Sequence, residues 1–143
     1  MSIFLNPLDF FPTFYNMQSV SSNAVASLLN TDKNDTGAVS ITSQVTKSLG
    51  VTSVVVYRKN NMVYMYLEGT YTGSQTTSTQ RLLSGIPVKY RPAVGQSVAL
   101  LGYNNSQYVS VSRGVIYNDG DMNLNETNWV TGTTIRAGFV YMI

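Results

Sequence analysis

Residues 51–72, VTSVVVYRKNNMVYMYLEGTYT, decide the fold class. Two runs rich in Val, Tyr and Met flank Asn60-Asn61. β-Branched and aromatic side chains fit a pleated, half-buried surface, and Asn tolerates the backbone that a tight reversal needs. The stretch therefore predicts a β-hairpin. Upstream, VSITSQV (39–45) alternates apolar and polar residues with period two and predicts another strand. Downstream, the Ser/Thr/Gln-rich residues 74–80 predict a loop. RLLSGIPVKYRPAVGQ (81–96) predicts a short strand followed by a crossing segment punctuated by proline. SVALLGY, YVSVSRGVIY, DMNLN and IRAGFVYMI complete a series of short strands. Such a series points to an all-β domain, a β-sandwich of jelly-roll-like kind, over residues 38–143.

Residues 1–37 have a different texture. SVSSNAVASLLN (19–30) offers Ser21 or Ser22 as a helix N-cap and Asn30 as a stop. Val20, Ala24 and Leu28 recur every four residues, as do Val25 and Leu29, which predicts a helix of about three turns. A helix this short needs something to pack on, either its own β-domain or further copies of itself around an axis. TDKNDTG (31–37) reads as a polar linker, so residues 17–37 form a helix and linker. Residues 1–16 carry Phe4, Leu5, Leu8, Phe10, Phe11, Phe14 and Tyr15, four of the five Phe in the chain. Pro7 and Pro12 oppose a continuous helix. Aromatics this dense cannot bury one another in so short a segment, so they predict a docking peptide that occupies a groove. The segment lacks a basic start and is shorter than the ~20 residues of a membrane-spanning helix. No membrane insertion is expected.

Composition narrows the chemistry. The 143 residues include no Cys and no His, which removes disulfides, thiol nucleophiles, imidazole triads and the usual zinc sites. Charged residues make up 11%, below the roughly 25% of ordinary soluble domains. Ser, Thr, Asn, Gln, Gly and ten Tyr fill the polar share. The net charge of +2 is small and its basic residues are dispersed, so no nucleic-acid partner is expected.

Few groups remain for catalysis. Among seven acidic residues, Asp9, Asp32 and Asp35 fall in the peptide or linker. Asp119 and Asp121 share the Asp-Gly turn, leaving Glu68 and Glu126 as the pair a glycoside hydrolase would need. NDGDMN (118–123) resembles a calcium loop in its alternating oxygens, but its Gly comes early and no Glu closes it. Asp119-Gly120 instead predicts a two-residue type I′ turn. No enzyme, cofactor or metal is expected. Tyr103, Tyr108 and Trp129, with Asn104, Asn105 and Asn128 beside them, are the candidate ligand-binding residues. They are expected in loops, where flat amphipathic rings suit sugars and interfaces.

MQSVSSNAVASLL (17–29) resembles the segment that precedes the head of bacteriophage tail-fibre and receptor-binding proteins. GIPVKYRPAV (85–94) resembles the Ile-Pro…Tyr-Arg-Pro segment of their β-domains. VSVSRGVIYNDGDMNL and the final GFVYMI follow in the family's order. The resemblance covers about residues 17–143. It implies a homotrimeric head on the external surface of a virion, attached to a capsid or tail protein and often contacting host-surface glycans. The family's long stem is missing ahead of the helix, and sixteen residues span at most ~55 Å. A short spike or decoration is therefore expected. A free-standing carbohydrate-binding module is the alternative, with a glycoside hydrolase behind it.

Overall fold

A computed structural model of the chain describes residues 35–104 and 108–143. The docking peptide (1–16), the helix at 20–29 and Asn105 lie outside the described residues. The Asp35–Ile143 unit is all-β. Its strands are β1 (Ala38–Ser40), β2 (Thr46–Lys47), β3 (Val51–Lys59), β4 (Met62–Thr70) and β5 (Gln80–Ser84), then β6 (Gln96–Asn104), β7 (Tyr108–Ile116), β8 (Met122–Glu126) and β9 (Thr134–Met142). A short 3₁₀ turn covers Val88–Tyr90. Among the described residues these strands form one sheet, ordered β1-β3-β4-β9-β6-β7-β8-β5-β2, with every pairing antiparallel.

The sheet curls at one junction. β9 pairs with β4 along its whole length, from Met62↔Met142 to Thr70↔Thr134. It meets β6 only at Gly102↔Ile135 and Tyr103↔Thr134. Beyond that point the two halves separate, and their inner faces close on a common core. Val54, Val56, Val63, Met65, Leu67 and Ala137 come from one half; Leu83, Leu100, Ile116, Met122 and Leu124 come from the other.

The hairpin at 51–72 forms as its residues predict. Asn60 adopts φ 53°, and Lys59 pairs with Met62 across the two-residue turn. Val54 and Val56 point inward on β3, Val63, Met65 and Leu67 on β4. Val51 is also buried, although a spacing of three from Val54 breaks the period. A bulge between Val51 and Ser53 absorbs the extra residue. The same device on β5 lets adjacent Leu82 and Leu83 both face the core.

Two local expectations need correction. VSITSQV is not one strand: a turn over residues 42–45 separates β1 from β2, and Gln44 N–H donates to Ile41 C=O at 2.8 Å. Ile41 and Val45 are both buried, so the alternation is real although the backbone turns between them. The Asp119-Gly120 reversal is not type I′. Only Gly120 has positive φ there (95°), whereas type I′ requires it at both central residues. Gly120 N–H donates to Tyr117 C=O, so Asn118 and Asp119 are the central pair, with Gly120 supplying the left-handed position after them. Asp119 Oδ1 accepts from Asp121 N–H, and Asp121 pairs with Arg81 at 2.8 Å.

The crossing segment locks onto this turn. Ile86 N–H donates to Gly120 C=O. Arg91 donates from Nε to Ile86 C=O at 2.6 Å, and its guanidinium lies against the bare Cα of Gly120. Tyr90 is buried, and its carbonyl accepts from the Tyr141 hydroxyl. The Tyr-Arg-Pro residues thus carry structural duties.

Candidate functional site

A surface recess lies where β6, β7, β8 and the segment after β8 meet. Its frame is a buried polar cluster. Ser112 Oγ and Thr127 Oγ1 share a hydrogen bond at 2.8 Å. Thr127 Oγ1 also accepts from Trp129 N–H, and Ser112 Oγ from Asn128 N–H. The Thr127 backbone exchanges two hydrogen bonds with Thr76, tying the 74–80 loop to the end of β8. Because each of these groups is partnered, the chain leaving β8 is held by its own polar atoms.

Two recesses of about 360 and 420 Å³ flank this frame and share Glu126 and Asn128. The first lies over β6 and β7, with Ser97, Ala99, Val111 and Arg113. The second continues onto Gln75, Thr76 and Thr77. They adjoin at these two residues as a trough of two parts. Register sets Ala99 beside Arg113 and Arg113 beside Glu126, so the three project from neighbouring strands. Asn125 is the extra residue of a bulge between these pairings. Asn128 spends its Nδ2 on the Val111 carbonyl at 3.3 Å.

The expected ligand residues are dispersed. Asn128 lines the trough. Trp129 does not: it is fully buried, set edge-on to Tyr71 with centroids 5.6 Å apart, and donates Nε1–H to Ser110 C=O. Its ring uses the room left by the missing side chain of Gly102, where a Cβ would collide with it. Trp129 is a core residue because an indole packed this way offers no face to a ligand. Tyr103 and Tyr108 lie in β6 and β7 rather than in loops, with Tyr108 opposite Asn104. Tyr103 is half-buried and Asn104 exposed. Arg113, Glu126, Ser97 and Thr76 were not singled out as ligand residues. The cross-strand register that gathers them is invisible until strands are paired.

The acidic candidates are also apart in the fold. Glu68 lies on β4, opposite Ser53 and Arg136, and accepts from the Tyr66 hydroxyl at 3.1 Å. Loss of hydration, then this contact with Glu68, raises the Tyr66 phenol above its ordinary value. Glu126 is the one carboxylate among the residues lining the trough.

A second surface feature faces outward from β4 and β9. Met62 pairs with Met142 and Tyr64 with Val140, and all four are large, apolar in body and exposed. The Tyr64 ring rests over Gly138.

No family model matches the sequence, and no curated protein matches it. Among solved structures, the chain is similar to the crystal structure of the receptor binding protein (gp15) of Listeria phage PSA. The TM-score is 0.52 at 14% identity, covering 98% of this chain and 92% of that one. At that identity the likeness is one of fold.

Proposed function

We propose that this chain is a bacteriophage virion protein of the host-attachment apparatus, a non-enzymatic trimeric spike displayed on the outside of the particle. The observation that carries this is the shared fold, over nearly the full length of both chains, with a phage receptor binding protein. The order of the Ser-Asn-Ala-Val, Tyr-Arg-Pro and Asp-Gly segments supports it independently. Phe4, Leu5, Leu8, Phe10, Phe11, Phe14 and Tyr15 dock into a groove of a capsid or tail protein, and three linked copies gain avidity. Val20, Ala24, Val25, Leu28 and Leu29 pack the helices about the three-fold axis. The exposed Met62, Tyr64, Val140 and Met142 supply further apolar surface for association.

The test is a Phe10→Ser, Phe11→Ser, Phe14→Ser variant. Burying each ring is worth roughly 1.5–3 kcal/mol, so docking should fail even after the cost of ordering the peptide. The expected outcome is an unchanged melting temperature and trimeric mass, with the protein missing from purified particles. A variant that stays on the particle puts attachment elsewhere. A variant that unfolds makes those rings part of a core. A wild-type protein absent from particles favours the free-standing carbohydrate-binding module.

A further inference from the structure

Arg113 and Glu126 are cross-strand partners on exposed positions, yet among the described residues no ion pair or hydrogen bond joins them. Side chains directly opposite on adjacent strands start about 5 Å apart, close enough for a salt bridge if both were aimed at each other. The bulge at Asn125 intervenes, and bulges re-aim the side chains beside them. The outcome is a donor-only guanidinium and an acceptor-only carboxylate standing open on the same recess. Asn128 adds a carbonyl oxygen, since its Nδ2 is already committed to Val111. Ser97 adds a hydroxyl at the far side. Ala99 and the half-exposed Val111 form an apolar floor.

From this geometry we propose that the trough binds an uncharged sugar through a vicinal diol, with Arg113 donating to the ring hydroxyls and Glu126 accepting from them. A hydroxyl both donates and accepts, so it satisfies a separated Arg and Glu together. A phosphate or carboxylate ligand would meet the Glu126 charge, and an ammonium ligand would meet Arg113. The C–H face of a pyranose covers Ala99 and Val111, while Asn128 and Ser97 take further hydroxyls. Each recess falls within the size range of small-ligand sites, about 300–1,000 Å³. Thr76 and Thr77 extend the same polar wall, so a second sugar unit continues across Glu126 and Asn128. The frame beneath is hydrogen-bonded and fixed to strands, which keeps the polar groups preorganised. The ligand class rests on the host-attachment proposal, but the site does not.

The experiment uses the full chain on immobilised neutral hexose and N-acetylhexosamine oligosaccharides, on the same glycans after periodate cleavage of their vicinal diols, and on sialylated and phosphorylated counterparts. Retention is expected on intact neutral glycans and lost after periodate. Arg113→Ala and Glu126→Gln should each weaken retention about tenfold or more, as for lost hydrogen bonds to charged groups. Arg136→Ala, on the other half of the sheet, should leave it unchanged. The inference is overturned by no retention on any glycan, by retention on charged glycans alone, or by unchanged retention in both trough variants. Particle labelling separates the two proposals: a virion-borne chain that ignores neutral glycans overturns the trough assignment alone. A glycan-binding chain absent from virions overturns the virion role alone.

Discussion

Tyr141 concentrates several effects in one side chain. It is buried, its hydroxyl donates to Tyr90 C=O at 2.7 Å, and its ring packs 6.0 Å from that of Phe139. Burial, with the nearby Tyr90 adding to it, holds the phenol well above its ordinary value of 10.0. Tyr71 is raised by burial as well. In the folded chain these phenols keep their protons, whereas in the unfolded chain they titrate near 10. Their contribution to stability is complete below about pH 10 and declines above it, because the unfolded state then holds fewer protons. Melting temperature should be insensitive to these groups at neutral pH and fall on the alkaline side. Tyr141→Phe should cost about 1 kcal/mol at neutral pH and flatten the alkaline fall. An unchanged slope in thermal melts across that range would exclude Tyr141 as a contributor. Its burial was legible in part, for Tyr141 keeps parity with Ile135, Ala137 and Phe139 along β9. Trp129 stands outside any strand and has no parity to consult.

At the scale of elements, bulges and side-chain locks decide where strands stop and turn. Thr127 is a lock: its hydroxyl holds Ser112 and the Trp129 N–H, and its backbone holds Thr76. Thr127→Val preserves shape but leaves the buried Trp129 N–H without its acceptor, at a cost of about 1–3 kcal/mol. Thr127→Ser keeps the oxygen and should cost less. Chemical denaturation of both variants checks the ordering, and equal losses would assign the effect to packing. Runs of strand-forming residues between turn signals revealed β3, β4, β6, β7, β8 and β9, each of which buries one face. Period two misjudged 39–45 because Ile41 and Val45 are both core residues on either side of a turn, and alternation does not report backbone direction. At Asp119-Gly120 the residue pair announces a reversal, while the flanking hydrogen bonds choose its type.

For the whole molecule, the exposed strip on β4 and β9 bears on assembly. Val140 is 57% exposed although it lies on a central strand. Val140→Lys introduces a charge at no cost to the core, and exposed substitutions of this kind stay within about 0.5 kcal/mol of wild type. If copies associate through this strip, as the proposed trimer would allow, light scattering should report a lower mass for the variant with its melting temperature retained. An unchanged mass would leave the strip out of any contact between copies.

Composition and alternation alone determined that residues 38–143 are β-structure, where the main hairpin lies, and that chemistry requiring Cys or His is unavailable. These follow from local rules, because strand parity and residue inventory need no partner. The curl of the sheet, the burial of Trp129 and the convergence of Ser97, Arg113, Glu126, Thr76 and Asn128 on one trough were decided only in three dimensions. Each depends on which strands lie side by side and in what register. Register is set by how the bulged strands bury their apolar faces together against one core, a condition that no single segment of the chain contains.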